Sequence, residues 1–331
     1  MRVHVLDDWY DTLRDLPCMS LLSDHQVTIW NDRVTDETAL AARLADADAV
    51  VLFRDRTPVT ASLVERLTGP RLIAMRGQHG HVDVQALSAA GILFASKMTK
   101  DGPSTPTAEL AFLHALSALR YFPEQIASAR AGNWQGGAPL GRGAAGKVLG
   151  LYGYGGIAGK VADYARAFGM TVQWWASEAG RARAIADGET VPATRADFFA
   201  TSDIVSIHKR LLPATKAEIT QADLMAMQPG SVLVNTSRAG LIEDGAILRA
   251  LEAGRVGRAA LDVFADEPVE SADDPLISHP NVIPTPHIGF ITAEELNSQF
   301  AEIFDIVNAY ARGQPSAMIN PEVWTEGRGR A

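Results

Sequence analysis

The sequence predicts an α/β protein made of two open, parallel-sheet units. Short β-branched runs alternate with helical patterns from one end to the other, the signature of parallel strands joined by right-handed helical crossovers. A length of 331 residues exceeds most single cores. Between Thr105 and Ala131 the alternation gives way to a longer apolar helical stretch, which suits a connector between two such units.

In the first unit the expected strands are "RVHVL", "QVTIW", "AVVLF", "RLIAM" and "ILFAS". Between them lie the helical segments "DETALAARLADA", "TASLVERL" and "VDVQALSAAG", the last closed by Gly91. The connector "TPTAELAFLHALSALRYFPEQIASARAG" carries Pro123, which should break it in two. A second series of strands follows: "KVLGLYG", "TVQWWA", "DIVSIHK", "SVLVNTS", "RAALDVF" and "NVIPTP". Six strands is the count of a full dinucleotide-binding sheet. The last segment, "TAEELNSQFAEIFDIVNAYARG", is one amphipathic helix with no strand after it, so it is expected to return to the first unit. The tail "EVWTEGRGRA" reads as frayed.

Composition narrows the partners. A hydrophobic fraction of 47% and a charged fraction of 21% are those of a soluble globular protein. Thirty basic against thirty-nine acidic residues leave a net charge of -9, which argues against nucleic acid or an anionic membrane as partner. An anionic substrate would then need a local basic pocket. Cys18 is the only cysteine, which excludes internal disulfides and thiolate metal clusters. No metal is expected, and the single thiol fits a reducing, cytoplasmic setting. The opening "MRVHVLDDWY" has no apolar run of signal-peptide type, and no stretch reaches the ~18 apolar residues of a membrane span.

In open parallel sheets, ligands bind beyond the carboxyl ends of the strands. Titratable residues gather there. Arg238 follows "SVLVNTS", Glu267 follows "RAALDVF", His287 follows "NVIPTP", and His208 and Lys209 follow "DIVSI". In the first unit Arg54 follows "VVLF" and Arg76 follows "RLIAM".

The turn Gly153-Tyr154-Gly155-Gly156-Ile157-Ala158 sits between an apolar strand and a helical pattern. Gly153 permits the tight turn, and Gly155 lets backbone amides approach a pyrophosphate at the helix N-terminus. Alanine is accepted at the third position, where close helix–strand packing is the requirement. A phosphate-loop reading fails, because it would need glycine at Tyr154 and Ser or Thr at Val161. An acid normally ends the next strand and binds the adenosine ribose. Here Ala176 and Ser177 stand at that end, Glu178 comes slightly late, and Arg181 and Arg183 follow. Glu178 reaching the ribose would favour NAD, whereas the arginines would meet the 2′-phosphate of NADP; the balance leans slightly to NAD.

Arg238, Glu267 and His287 form a set suited to 2-oxo acid reduction. The planar fork of arginine matches a carboxylate. Histidine gives and takes protons near neutrality, and a carboxylate beside it orients the ring.

The blocks "GYGGIAGKVADYARAFGMTV", "VNTSRAGLIEDGAIL", "AALDVFADEPV" and "NVIPTPHIGF" resemble successive signatures of the D-isomer-specific 2-hydroxyacid dehydrogenases, with order and spacing kept from about residue 45 to 315. The resemblance implies a Rossmann-type dinucleotide-binding domain, with a parallel six-to-seven-stranded sheet, over residues 104–289. It also implies a smaller flavodoxin-like α/β substrate domain made of residues 1–103 and 290–320, with 321–331 as a tail. The reaction implied is hydride transfer between NAD(P) and a small 2-oxo or D-2-hydroxy acid, of the phosphoglycerate dehydrogenase or glyoxylate/hydroxypyruvate reductase type. Arg238 would bind the substrate carboxylate and carbonyl oxygen, His287 would be the acid–base group, and Glu267 would pair with it. Asp262 would hold the nicotinamide carboxamide, with backbone near Thr236 and Ser237; His208 and Gly289 complete the cofactor set. Gly77 and Gln78 would offer N–H groups to the substrate carboxylate. Arg54 and Arg76 would meet a distal anionic group. A homodimer is implied, with the helix of "TAELAFLHALSALR" in its interface. The family often has glycine where this chain has Ala239 and a neutral residue where it has Arg76, and no segment resembles the added regulatory domain of some relatives. The rival reading is a nucleotide-sensing binding protein of corepressor type on the same fold.

Overall fold

The computed structural model describes residues 1–97 and 105–324. The expected boundary at 103/104 and most of the expected tail lie outside the described residues. By its internal packing the chain divides into two compact units, one made of Met1–Asp101 with Thr292–Ala331 and one of Gly102–Ile291.

The first unit opens with β1 (Arg2–Val5) and β2 (Gln26–Ile29), then α1 (Glu37–Arg43), β3 (Ala49–Val51), α2 (Ala61–Val64), β4 (Leu72–Arg76), α3 (Val84–Ala89) and β5 (Leu93–Lys97). All pairs are parallel, in the order β2-β1-β3-β4-β5, which is the flavodoxin-like order. Each short helix starts where its sequence supplies a cap. Asp36, Thr60 and Asp83 accept from the backbone N–H three residues on, which satisfies one of the open donors of a first turn. Gly91, at φ +71, ends α3. The expected helical segments are longer than the helices formed, which run only about one to two turns.

The second unit begins with α4 (Thr105–Arg120) and α5 (Phe122–Arg130). The break falls at Tyr121, held at φ +49, with Pro123 in the first turn of α5, where its missing N–H costs nothing. The rest runs β6 (Val148–Tyr152), α6 (Gly156–Ala167), β7 (Thr171–Trp175), α7 (Glu178–Ala186), α8 (Arg195–Thr201), β8 (Ile204–Ile207), α9 (Gln221–Ala226), β9 (Ser231–Asn235), α10 (Ala246–Glu252), β10 (Val256–Leu261) and β11 (Val282–Pro284). The sheet is parallel, in the order β11-β10-β9-β8-β6-β7. The chain turns from one side of β6 to the other between β7 and β8, and that switch point is where open sheets of this kind hold ligands. A seventh strand does not form among the described residues. Thr190 gives its carbonyl to the Trp174 N–H at 2.9 Å, but Pro192 follows and has no N–H to continue a ladder.

Alternate residues of the strands feed two cores. Leu149, Leu151, Val232 and Val234 pack with α4 and α6 on one face. Tyr152, Val205, Ile207 and Leu233 pack with Phe198, Leu224 and Ala250 on the other. Burial on both faces explains the near-continuous apolar runs. Ala158 is fully buried in the first of these cores, as close helix–strand packing requires.

The last helix, α11 (Ala293–Ala311), belongs to the first unit. Its buried face carries Phe300, Ile303, Phe304 and Val307.

Candidate active site

In the second unit, parallel strands bring their carboxyl ends to one edge. Gly153 lies just past β6, Ser177 past β7, His208 past β8, Arg238 past β9, and Asp262 and Glu267 past β10, with His287 past β11. The last three strands are neighbours, so the expected triad is gathered from adjacent positions.

Gly153 adopts φ +124, and a Cβ there would stand 2.2 Å from the His208 carbonyl oxygen. Only glycine allows β6 and the chain leaving β8 to approach so closely. α6 follows, with Gly155 as its N-cap and no side chain satisfying the first-turn amides. A Cβ on Gly155 would meet nothing within 4 Å. Open N–H groups, the positive end of a helix and a missing side chain make a cradle for a pyrophosphate. Thr236 Oγ1, buried, has no hydrogen-bond partner among the described residues, and Ser237 Oγ donates to the Ile207 carbonyl at 2.8 Å. His208 bonds Ser206 Oγ through Nε2 at 2.8 Å, and burial holds its imidazole down at about 4. These features fit a dinucleotide.

At the end of β7, Ser177 caps α7 by accepting from the Gly180 N–H at 3.3 Å. Glu178 is exposed in the first turn. Arg181 lies over the Trp175 ring and donates to the Ala176 carbonyl at 2.6 Å, while Arg183 donates to the Tyr154 carbonyl at 3.3 Å. Arg183 therefore borders the glycine turn, and Arg181 the end of β7.

His287 sits at φ +53 and bonds Glu267 Oε2 through Nδ1 at 2.5 Å. The other oxygen of Glu267 accepts the Phe264 N–H at 2.7 Å, so the carboxylate is fixed before it fixes the ring. Phe290 meets the imidazole edge-on at 5.9 Å. With Nδ1 engaged, Nε2 is the nitrogen left for proton transfer. Arg238 is exposed and donates to the Ser237 carbonyl at 2.7 Å. The Asn235 side chain braces this turn, donating to the Arg238 carbonyl and accepting from the Ser237 N–H.

Asp262 is fully buried. Its carboxylate accepts Thr285 Oγ1 at 2.6 Å, the Ile288 N–H at 2.9 Å and the Gly289 N–H at 2.8 Å. Burial pushes its pKa up, against the pull of those same hydrogen bonds. The geometry gives Asp262 the task of clamping the segment that bears His287, and a nicotinamide contact rests on the resemblance alone. Gly289 is held close, since a Cβ would lie 3.0 Å from Asp262 Oδ2.

In the first unit the expected residues divide. Arg54, at φ +58, brings Nη1 to within 3.8 Å of where a Gly77 Cβ would stand. Arg76 points elsewhere: its guanidinium meets Glu302 at 2.7 Å and Glu295 at 3.4 Å. Two carboxylates from α11 engage its guanidinium, where the expectation was a contact with a distal anionic group of the substrate. The Gly77 N–H, at φ +107, donates to the Lys97 carbonyl at 3.2 Å, and Gln78 beside it is exposed.

Sequence reading missed Thr285 and His114. Thr285 lies within the block "NVIPTPHIGF" without a role assigned by its type, and His114 lies in an apolar helix; its Nε2 bonds Thr285 Oγ1 at 2.9 Å.

A glycine turn at the switch point of a doubly wound sheet, with a carboxylate–imidazole pair on the same carboxyl edge, is the layout of a dinucleotide-binding α/β unit. Residues 112–289 match the model of the "D-isomer specific 2-hydroxyacid dehydrogenase, NAD binding domain". The chain belongs to that family. It is 35% identical over 296 residues to D-3-phosphoglycerate dehydrogenase 2, chloroplastic, of Arabidopsis thaliana, covering 87% of this chain and 46% of the relative. It is 33% identical over 255 residues to 4-methyl-2-oxopentanoate reductase A of Aspergillus oryzae, covering 75% and 76%. A solved structure of phosphoglycerate oxidoreductase from Vibrio cholerae superimposes with a TM-score of 0.89 at 37% identity, covering 94% of this chain and 99% of that one. The chain spans about half the length of several of the curated phosphoglycerate dehydrogenases it matches.

Proposed function

We propose that the protein interconverts a small 2-oxo acid and its D-2-hydroxy acid using NAD(P), with NAD preferred. The observation that carries this is the 2.5 Å His287–Glu267 pair, set at the carboxyl edge of the same sheet as the glycine turn. The nicotinamide supplies or accepts the hydride. His287, its ring fixed through Nδ1, gives a proton from Nε2 to the carbonyl oxygen in reduction and takes it back in oxidation. Arg238 binds the substrate carboxylate and polarises the carbonyl. The carboxylate of Glu178 favours NAD over NADP, because it repels a 2′-phosphate. Incubation with NADH or NADPH and a panel of 2-oxo acids, glyoxylate and hydroxypyruvate included, should give D-products with higher catalytic efficiency for NADH. Tight dinucleotide binding without turnover on any acid would instead favour the nucleotide-sensing reading. An efficiency ratio of NADPH over NADH well above one would reverse the cofactor preference.

Arg54, beside Gly77, is proposed to meet a second negative charge on the substrate. Arg54→Ala is expected to lose about ten-fold more kcat/KM on dianionic than on monoanionic 2-oxo acids. Equal losses on both would remove this role.

The working form is proposed to be a cytoplasmic homodimer. Leu113 on α4, Phe122 and Ile126 on α5, and Trp134 and Leu140 beyond it are all exposed, Trp134 at 76% and Leu140 at 94%. Large exposed apolar side chains of this kind support an interface reading. Cys18 is buried, and burial pushes its thiol up to about 11, which disfavours the reactive thiolate. No helix among the described residues is long and apolar enough to cross a membrane.

A further inference from the structure

We propose that His114 is a positioning residue for the acid–base histidine, acting through Thr285 and Asp262. The proposal rests on the reading of His287 as the proton donor and names what holds it.

His114 lies on α4, 3% exposed in the core of the second unit. Its Nε2 is 2.9 Å from Thr285 Oγ1, and that hydroxyl is 2.6 Å from Asp262 Oδ1. A threonine hydroxyl has one hydrogen and two lone pairs. The Asp262 carboxylate already takes N–H donors on both oxygens, from Ile288 and Gly289, so it accepts the hydrogen of Thr285. The hydroxyl must then accept from His114, which fixes His114 as the Nε2–H tautomer. Burial holds the imidazole down at about 4, so it is neutral and adds no charge beside the carboxylate.

The chain of donors therefore runs one way. His114 donates to Thr285, Thr285 to Asp262, and Asp262 holds the two amides that follow His287. Residue 287 keeps a positive φ of 53°, a backbone state less favourable than the right-handed one for most non-glycine residues and held more readily when the surroundings support it. The clamp supplies that support, and α4 anchors the clamp. Deep in low dielectric, each link strengthens the next, and a missing donor is felt along the whole series. A leucine at position 114 would fill the space and leave the hydroxyl without its donor.

Hydrogen exchange of the ligand-free protein reads the clamp without relying on turnover. His114→Leu and Thr285→Val should each speed exchange of the Ile288 and Gly289 amides about five- to ten-fold, the equivalent of one hydrogen bond. His114→Gln, which keeps an N–H donor at similar reach, should restore most of the protection. The double variant His114→Leu/Thr285→Val should exchange no faster than either single one. In steady-state reduction of the most active 2-oxo acid of the panel, kcat should fall about ten-fold with KM and NADH affinity within two-fold. Thr285→Val makes the same cut from the other side if His114→Leu fails to fold. Unchanged exchange at 288 and 289, or a uniform rise across the unit, would overturn the proposal. The His287→Ala variant separates the two readings. If it keeps full activity, the acid–base assignment fails while the exchange result stands. If it is inactive while His114→Leu matches the parent in exchange and kcat, only the positioning role fails.

Discussion

His287→Asn is expected to lose about a thousand-fold in turnover while binding NADH as tightly as the parent. The reaction needs a group that delivers a proton to the carbonyl oxygen as hydride arrives, and such groups contribute about two to four orders of magnitude. Asparagine is the sharper substitution than alanine here, because residue 287 sits at φ +53. Asparagine tolerates the left-handed region, so the loop keeps its course and only the proton donor is lost. The Glu267 carboxylate remains anchored on the Phe264 N–H, so the neighbourhood is not rearranged. Glu267→Gln should be milder, about ten- to a hundred-fold, since the ring stays present but loses its ionised partner. Cofactor affinity is read by NADH fluorescence and turnover by absorbance. Turnover of the asparagine variant within a few-fold of the parent would sink the assignment of the acid.

The second large effect is on folding as well as binding. Gly153→Ala places a methyl group 2.2 Å from the His208 carbonyl oxygen and 2.7 Å from its carbon, at φ +124. Those obstacles are backbone, not the end of a mobile side chain. Overpacking and the strained dihedral each cost about 1–3 kcal/mol, so a total destabilisation of about 3 kcal/mol is expected, with NADH binding lost below the unfolding temperature. Gly155→Ala is the matched control, because its Cβ meets nothing within 4 Å. It should fold normally and weaken dinucleotide binding alone. Denaturant melts and NADH titration decide it, and equal stability of the Gly153 variant and the parent would refute the close-approach argument.

The two sheets and the strand-end positions of Arg238, Glu267 and His287 were legible in the sequence for physical reasons. Strands buried on both faces leave apolar runs such as "SVLVN", and ligand groups must lie past the ends of those runs. Gly153 was legible because no other residue fits a turn pressed against a carbonyl. What stayed hidden depends on direction. Arg54 and Arg76 occupy equivalent places after strands, yet one flanks Gly77 and the other is taken by Glu302 and Glu295 of a helix over two hundred residues later. The inward turn of Asp262 was equally invisible, since a carboxylate at a strand end reads the same whether it faces a ligand or three donors of its own chain. His114 was lost among apolar neighbours because its partner lies 171 positions away.

The pairing of residues 292 onward with the first unit sets an order of assembly. As the chain leaves the ribosome, β1 to β5 emerge first, but the apolar face that receives Phe300 and Phe304 stays uncovered until α11 arrives. Phe53 finds Phe300, ring centres 5.0 Å apart, only after the whole second unit has been made. The second unit is contiguous and closes without waiting. Contacts so distant in sequence are slow to form, and incomplete sheets with bare apolar faces are the species that aggregate. Truncation within α11 should therefore harm the first unit's solubility during synthesis well before it touches the chemistry of the second.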